Sequence, residues 1–417
     1  MNIFKKMRDA FFTSPRRQVI DDSALSYAGI TSHSGEVVNE NSLLGLSTAW
    51  RCISLLSGTV ASLPINIYKE DSEGVPRLFK EHPLYFILKR EPNYDQTAFD
   101  FWHFLESSIE MRGNAYARIT RNGAKHISSL IPIHPSFISV TRQPDGALKY
   151  RWSENGIYYE GGSENIFHIR GFGGDPLGGL SPLSVGRNVF GNALAADNSS
   201  SDMFKNGLKP TGVLTFSEWL NEEQRKIAEE NLSKKIGIGN GGMPLILEGG
   251  TSWQQITLSP EDAQMLQSRS FSVEEICRIF GVPPHMVGHT ENSTSWGTGL
   301  EQQTLAFLQF TLRERLKRIE QAINKQLLTR LERQNGVYVS FNLESLLRAD
   351  SQGRAHFYQV MTLIGAMTIN EVRRLENMPP VDGGDTPRIQ MQNVPIDQVD
   401  NETIRAFAEQ IQQENNL

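Results

Sequence analysis

The chain of 417 residues carries 39% hydrophobic and 21% charged residues, with a formal net charge of -6. This length and composition predict a globular protein of two to four structural units with ample core. The negative net charge argues against a protein that binds nucleic acid over its whole surface, but it is compatible with local basic patches.

Two further classes are disfavoured by the residue types. Cys52 and Cys277 lie far apart in helix-like apolar stretches, so we expect reduced core residues and neither a disulfide framework nor a CxxC metal knuckle. No apolar run approaches the ~18 residues of a membrane span, so no membrane contact is expected.

Residues 1–45 are mixed in character and predict an N-terminal arm that is at least partly disordered. Residues 46–180 combine helical and strand patterns into one α+β unit. Ser47 caps its first helix, which presents one apolar face. The members of that face are Trp50, Ile53, Leu56 and Val60. From 114 to 170 the apolar period switches to two, and turns at Asn122-Gly123 and Pro144-Asp145-Gly146 predict an antiparallel meander.

Two helices then enclose an inserted module. Ser181-Pro182 opens a helix to about Lys205, whose many small residues hint at packing between identical subunits. A second helix begins at Ser259-Pro260 and ends before the double proline 283–284. Residues 207–258, with three strand patterns and a capped helix, join the two helices. We therefore expect the helices to run side by side with the insert at their tip.

A polar loop and a long helix follow. The loop covers residues 289–299 and is polar except for Trp296. A capping box of Thr298 and Glu301 opens the helix, whose leucines and isoleucines recur every three or four residues over 305–331. About 35 helical residues at 1.5 Å each predict a rod roughly 50 Å long.

The last part of the chain predicts one strand and three helices. The strand covers residues 337–343, and the first helix covers 350–364. A capping box of Thr368 and Glu371 starts the second helix, and the third covers 402–413.

Motifs for catalysis or ligand binding are weak. Residues 237–242 match GxGxxG, but a helix precedes them and a strand follows, which is the reverse of a dinucleotide fingerprint. The glycines of 171–179 lack the Lys-Ser/Thr of a phosphate loop. His285 and His289 have no carboxylate at metal-ligand spacing. The sequence predicts no catalytic residue, no cofactor and no metal.

The long helix carries a surplus of positive charge. Between Arg313 and Arg333 there are seven basic residues and three acids, within a chain that is acidic overall. One interpretation is an ordinary solvated face. The other is an electrostatic contact with a polyanion or an acidic neighbouring subunit. The candidates for that contact are Arg313, Arg315, Lys317 and Arg318.

Seven stretches share the order and character of one family's motifs. They are STAWRCISLLSGTVASLP, HPLYFILKREPN, EMRGNAYARI, GLSPLSVGRNVFGNALA, EICRIFGVPPHMVG, LEQQTLAFLQFTLRERLKRIEQAIN and GAMTINEVRRLENMPPVDGGD. In this order they resemble the portal proteins of tailed double-stranded-DNA bacteriophages.

The resemblance implies the α+β portal fold, with an α/β wing, a two-helix stem, a small α/β clip insert, a long helix behind a tunnel loop, and a helical crown. The corresponding segments are 46–180 for the wing, 181–206 and 259–288 for the stem, 207–258 for the clip, 289–299 for the tunnel loop, 300–340 for the long helix and return to the wing, and 341–417 for the crown and C-terminal tail.

The resemblance also implies a function without enzymatic activity. Portal proteins form a ring, typically of twelve subunits, at one capsid vertex of the virion, and the ring is assembled in the host bacterial cytoplasm. The implied partners are other copies of the chain, the large terminase subunit, the major capsid protein and scaffold, the head-tail adaptor, and double-stranded DNA in the channel. The implied tasks are to nucleate capsid assembly, dock the terminase for packaging, and join head to tail for ejection.

The loop after the second helix falls where the family's tunnel loop lies. The implied DNA-facing residues are His289, Thr290, Glu291, Asn292, Ser293, Thr294, Ser295, Trp296, Gly297 and Thr298. A polar lining suits a channel that must let DNA slide, because each neutralised phosphate tightens binding. Two alternatives stay open, a monomeric DNA-binding adaptor that uses the basic helix and a phosphate-handling enzyme that uses the glycine stretches.

Overall fold

The computed structural model describes residues 29–174, 176–205, 212–215, 221–223, 225–226, 252–255, 260–290, 297–343, 351–376 and 378–388. The chain divides into two compact units, Met1–Phe341 and Asn342–Leu417. Among the described residues, no helix combines the length and apolar character needed to cross a membrane.

The helices of the first unit are α1 (Glu40–Gly45), α2 (Ser47–Ser62), α3 (Pro83–Lys89), α4 (Ala98–Arg112), α5 (Pro182–Val185), α6 (Arg187–Lys205), α7 (Pro260–Phe280), α8 (Gly297–Ala306), α9 (Arg313–Gln326) and α10 (Arg330–Gln334). The strands are β1 (Ile30–Thr31), β2 (Val37–Val38), β3 (Ile65–Glu70), β4 (Pro76–Leu78), β5 (Asn114–Arg121), β6 (Ile127–Ile133), β7 (Ile138–Arg142), β8 (Leu148–Glu154), β9 (Ile157–Gly161), β10 (Ile166–Arg170), β11 (Gly212–Thr215), β12 (Ser252–Gln255) and β13 (Val337–Phe341). Short 3-10 turns lie at Pro135–Phe137 and Pro284–Val287.

The main core forms where α2 packs on α4 and α7. The fully buried side chains of α2 recur at helical spacing, so one stripe faces inward. They are Ala49, Cys52, Ile53, Leu56, Ser57 and Val60. Trp50 is 57% exposed, so its predicted place on the apolar face is wrong. Ala49 is the buried residue beside it, and a position one residue further round the helix points away from the core. Ser47 is the first helical residue, not the cap.

Residues 29–45, the last part of the predicted N-terminal arm, contain a short hairpin and helix α1. Strands β1 and β2 pair as a short antiparallel hairpin. Asn39 caps α1 through a capping box with Ser42. The hairpin packs on α6. Residues 1–28 lie outside the described residues.

The strands from 114 to 170 form two sheets instead of the single predicted meander. One sheet has the order β10-β5-β6, and the other has the order β7-β8-β9. The chain leaves the first sheet after β6 and returns through β10, because β10 pairs with β5 on the side opposite β6. The two predicted hairpin turns, at residues 122–123 and 144–146, are confirmed. A third sheet joins distant segments in the order β13-β3-β4.

The predicted rod is divided. Helix α8 passes through a π-helical turn at Phe307–Leu312 into α9, and the helix ends at Gln326. Thr329 then caps the separate helix α10 through a capping box with Glu332, which restarts the helix in a new geometry. The inward stripe is confirmed in the middle, where Leu312, Leu316, Ile319 and Ile323 are buried. Leu305 and Leu331, at its ends, are exposed.

Helix α9 covers the open edges of two sheets. Asn324 Oδ1 accepts from Val339 N at 2.8 Å, and Glu320 Oε1 accepts from Phe341 N at 2.8 Å, both on edge strand β13. On edge strand β10, Gln326 accepts from His168 N at 2.9 Å and donates to His168 O at 2.8 Å. These side chains satisfy backbone groups that an exposed edge would present to other strands.

The predicted helix from Ser181 is confirmed, with a break at Gly186 between α5 and α6. Its small residues are partly used inside the subunit. A Cβ on Gly191 would lie 2.2 Å from Ser32 Oγ of the hairpin, and one on Gly186 would lie 2.9 Å from Ile279 Cδ1 of α7. The hint that these positions serve packing between subunits is therefore wrong for these two glycines. Strands β11 and β12 of the insert pair antiparallel.

The second unit contains α11 (Ser351–Leu363) and α12 (Ile369–Leu375). The predicted capping box of Thr368 and Glu371 is confirmed. Asn370 is buried and binds both Val381 N and Val381 O, which ties α12 to the loop that follows it. The predicted helix at 402–413 lies outside the described residues.

Candidate functional site

The polar segment between α7 and α8 is shorter than the sequence predicts. His289 and Thr290 follow the Pro284–Val287 turn, and α8 already begins at Gly297. Gly297 and Thr298 are therefore helical and not part of the loop. Thr298 lies inside the first turn of α8, so the helix begins before the predicted cap position. The remaining candidates, residues 291–296, lie outside the described residues.

The start of this segment is fixed by backbone geometry and by α7. Gly288 has φ +88°, a left-handed conformation that ends the Pro284–Val287 turn. His289 Nε2 lies 3.3 Å from Ser270 Oγ on α7. His285 Nδ1 is instead buried, and it has no hydrogen-bond partner among the described residues. No group of three or more His, Cys, Asp or Glu side chains within the described ranges could hold a metal ion.

The π-helical turn after α8 is hydrogen-bonded to the end of α7. Gly281, with φ +68°, ends α7, and its carbonyl accepts a 2.8 Å hydrogen bond from Thr311 Oγ1 in the π-helical turn. A Cβ on Gly281 would lie 3.3 Å from that hydroxyl. The end of α7 and the π-helical turn that follows α8 are thus joined directly.

A buried arginine strengthens this junction. Arg315 on α9 donates to Glu110 Oε1 at 2.6 Å and to Glu110 Oε2 at 3.0 Å, a bidentate pair. Its other hydrogens reach Phe280 O at 3.0 Å, at the end of α7, and Thr311 O at 3.1 Å. One guanidinium therefore connects α4, α7, the π-helical turn and α9.

A second buried acid, Glu106, joins the cluster, which then has two carboxyl groups beside one guanidinium. Glu106 lies one turn before Glu110 on α4, is 1% exposed, and has its Oε1 3.7 Å from Arg315 Nε. Burial, with the charge of Glu110, raises the pKa of Glu106 to about 8. Burial acts against the charged form of Arg315, but the charge and hydrogen bonds of Glu110 outweigh it and raise the pKa of the guanidinium. At neutral pH Glu106 therefore holds a proton beside the Glu110–Arg315 pair.

The four basic candidates of the long helix differ in their partners and in their exposure to solvent. Arg315 is committed to the cluster inside the subunit, so it is not available for a polyanion or a neighbouring subunit, which corrects that prediction. Lys317 Nζ lies 2.6 Å from Glu320 Oε2 but remains 56% exposed, and Arg318 binds Glu314 one turn away at 2.6 Å. Arg313 is exposed.

A second junction links the sheet to the start of α5. Gly113 has φ +73°, and a Cβ there would lie 2.0 Å from Leu180 O. Asn114 donates to Gly179 O at 3.1 Å and accepts from Gly179 N at 3.0 Å. Gly171 N donates to Gly113 O at 2.7 Å. The glycines permit a close backbone crossing where the chain passes from the sheet to α5 and α6.

His168 supports this crossing from below. Its Nε2 donates to Asn114 Oδ1 at 3.0 Å, and its Nδ1 accepts from Tyr150 Oη at 3.3 Å. Burial, with a smaller contribution from Arg170, holds the pKa of His168 well below its usual value, so the ring is neutral. Gln326 of α9 binds the backbone of the same residue. The crossing at Gly113 is thus connected to the end of the long helix.

Sequence reasoning missed most of these partners. The acids at 106 and 110 are four residues apart, which places them on one face of a helix, but the spacing does not indicate that this face is buried. The turn at Gly113-Asn114 and the glycines of 171–179 carry no local sign that they meet, because the residues in contact are roughly 60 positions apart along the chain.

Sequence comparison relates the chain to phage portal proteins. The family described as "Phage portal protein" matches residues 47–377. The portal protein of Enterobacteria phage HK97 is 39% identical over 376 residues, which are 90% of this chain and 87% of that protein. The probable portal protein of Streptomyces phage phiC31 is 31% identical over 375 residues, which are 87% of this chain and 81% of that protein.

Solved structures share the fold at low identity. A chain from the neck of an empty gene transfer agent particle has a TM-score of 0.62 at 22% identity, covering 82% of this chain and 92% of its own. An HK97-family phage portal protein from Corynebacterium diphtheriae has a TM-score of 0.53 at 15% identity, covering 75% of this chain and 98% of its own. With the family match over residues 47–377 and the identity to the HK97 relative, these findings show that the chain belongs to the phage portal protein family.

Proposed function

We propose that the chain is one subunit of a ring that surrounds a DNA channel at a single capsid vertex. Family membership and the likeness to chains from particle necks support a ring-forming virion component. In this role the ring nucleates capsid assembly, docks the large terminase subunit during packaging, and joins head to tail for ejection. Its further partners are the major capsid protein, the scaffold and the head-tail adaptor.

The segment 289–296 is proposed as the DNA-facing tunnel loop. The observation that carries this is the clamp beneath it. Arg315 and Thr311 hold the end of α7 against the helix that follows the loop. This junction fixes the end of the helix that precedes the segment against the helical stretch that follows it. Its polar composition suits sliding contact with phosphates.

The test replaces residues 291–296 by a glycine-serine linker of equal length, leaving the clamp and the helical Gly297 and Thr298 untouched. We expect normal ring assembly but reduced DNA packaging or retention, measured as DNA content of particles. A control chain carries the same replacement in the exposed turn 71–74 and should fill normally. Particles that fill to the normal level with the loop replaced would count against the channel role.

Ring formation separates this proposal from a monomeric adaptor. Twelve copies of the 46.9 kDa chain give a closed ring of about 560 kDa, which light scattering or negative-stain images detect. A chain that stays monomeric under all conditions would refute the ring.

The basic side chains of this stretch that lie outside the buried cluster are a second element of the proposal; Arg313 and Lys317 are exposed, and Arg318 is half-buried. Arg313, Lys317 and Arg318 remain candidates for contacts with DNA or with a neighbouring subunit. Arg318 already has Glu314 as a partner, and Lys317 has Glu320. Triple substitution of these three by Gln should weaken ring assembly at low salt, where screening is weak, or reduce DNA retention. No change in both measurements would leave them as a solvated face.

A further inference from the structure

The sheet formed by β7, β8 and β9 has two uncovered edges. In the other two three-stranded sheets, helix α9 covers the edge strands β10 and β13. On edge strand β6, Leu130 N donates to Pro92 O at 2.7 Å, and Asn93 Nδ2 donates to Leu130 O at 3.0 Å. Among the described residues, no group outside the sheet hydrogen-bonds to the main chain of β7 or β9. An uncovered edge offers its N–H and C=O groups to another strand.

The apolar layer of this sheet is incomplete at β9. Tyr159 lies opposite Trp152 of β8 and stacks on it, with 5.7 Å between the ring centroids. Trp152 and Tyr150, on the inward face of β8, are buried. On the same face of β9, Tyr159 is 39% exposed and Ile157 is 57% exposed. Because successive side chains alternate between the two faces, this layer lacks the cover that one more strand would supply.

The turn before β9 determines which of its main-chain groups are free. Asn155 and Gly156 both have positive φ and form the two-residue loop of a hairpin closed by the pair of Glu154 and Ile157. A pair that closes such a loop is hydrogen-bonded, and the pairs then alternate along the ladder. The main-chain groups of Tyr158 and Glu160 therefore point away from β8. The side chains of these two residues lie on the solvent face, and Tyr158 is 88% exposed.

The same reasoning applies to β7. Gln143 N donates to Ala147 O at 2.8 Å and closes the hairpin between β7 and β8. By alternation, the main-chain groups of Arg142, Val140 and Ile138 point away from β8. Ile138 lies opposite Trp152, so these three residues belong to the inward face. The free groups of β9 thus belong to solvent-face residues, and the free groups of β7 belong to inward-face residues.

These two edges match each other in parallel and in no other direction. In a parallel pair, a residue that bonds across lies opposite one whose groups point away, and it bonds to the two neighbours of that residue. Tyr158 would lie opposite Ser139 of a second copy and bond to Ile138 and Val140, with the solvent faces aligned. In an antiparallel pair the bonding residues lie opposite each other, which would join the solvent face of one sheet to the inward face of the other.

We propose that β9 of one subunit pairs in parallel with β7 of a second copy, so that this sheet continues from subunit to subunit. The inference rests on the proposed ring and names a surface that joins its members. Strands β7 and β9 run in the same direction, since each is antiparallel to β8, and each has five residues. Two different edges of one sheet make a head-to-tail contact, which is the kind that closes a ring.

The experiment is disulfide cross-linking of the assembled full-length protein that carries Tyr158→Cys and Ser139→Cys. The two positions lie about 10 Å apart within one chain, because β8 separates them, but about 5 Å apart between paired copies. After mild oxidation and blocking of free thiols, we expect a ladder of covalent oligomers on a denaturing gel, which reduction removes. When the two single variants are assembled together, each chain has one new thiol, so the products should stop at dimers.

Matched variants test the register and the native thiols. Tyr158→Cys with Thr141→Cys keeps both side chains on the solvent face but moves them to about 8 Å apart, so its yield should be at least about tenfold lower. Each single variant alone should give no ladder, since the native Cys52 and Cys277 are free and buried.

Light scattering of the same samples separates this inference from the ring itself. Rings without the ladder, equal yields for the two register pairs, or dimers from Tyr158→Cys alone would each overturn the strand pairing and leave the ring in place. Dimers from that single variant would indicate that two β9 strands pair with each other. A chain that forms neither rings nor a ladder would overturn both proposals.

A proline provides a test without cysteines. Tyr158→Pro removes an N–H that points away from β8, so the internal ladder keeps its bonds. Tyr158→Thr removes the same aromatic ring and retains the N–H. We expect the protein concentration needed for ring assembly to rise about 3- to 10-fold more in the proline variant, as one lost hydrogen bond per interface predicts. Equal assembly of the two variants, with equal melting temperatures, would contradict the pairing.

Discussion

The buried arginine at the loop base is the residue whose removal should cost most. In Arg315→Met the side chain keeps much of its apolar stem, but four hydrogen bonds disappear, and Glu110 loses its cation. Two acids would then lie buried with no positive partner at the junction. Removing one member of a buried pair typically costs about 3–5 kcal/mol, because the remaining charge is stranded away from water. We expect a loss of that size in the free energy of unfolding.

The assay is urea unfolding of the full chain, followed by circular dichroism at neutral pH. Arg318→Met provides the matched control, since it removes a partly exposed pair with Glu314 on the same helix and should cost at most about 0.5 kcal/mol. The double variant Arg315→Met with Glu110→Gln should recover part of the loss, because it removes the stranded charge. If Arg315→Met is no more costly than Arg318→Met, the clamp does not hold the junction.

Two further predictions concern the same interior. The pKa of Glu106 in the folded protein, about 8, lies above its value in the unfolded chain, so the folded state keeps a proton that the unfolded state has lost. The free energy of unfolding should therefore fall as pH rises from about 4.5 to about 8, by up to about 1.4 kcal/mol per pH unit. Above about pH 8 it should level off. Glu106→Gln should remove this slope in urea titrations from pH 5 to 9, and an unchanged slope would contradict the assignment. Gly113→Ala places a Cβ against Leu180 O in a left-handed position and should lower the melting temperature strongly or abolish soluble expression, whereas Gly123→Ala, with open space around it, should have little effect on either.

Local patterns in the sequence predicted much of the fold. The capping box at Thr368 and the hairpin turns depend on residues close together in the chain, and interactions at that range can be predicted from a sequence. The pairing of strands into sheets could not be predicted in this way. Strand β13 pairs with β3 across more than 260 residues, and β10 returns to β5 past a separate sheet, so neither pairing leaves a local signature.

The long helix shows why charge alone does not determine a role. Its sequence from 313 to 326 is rich in basic residues, and a solvated face or a contact with DNA both fit that composition. In the structure its polar side chains divide by position. Arg315, Glu320, Asn324 and Gln326 point inward and satisfy buried carboxylates or the open edges of two sheets. A sequence gives the sign of a charge but not the partner, because the partners here come from α4, β10 and β13, which are separated along the chain. Thr311 and Arg315 also bind the end of α7, so the stretch of chain that covers the sheet edges is joined to the helix that precedes residues 289–296.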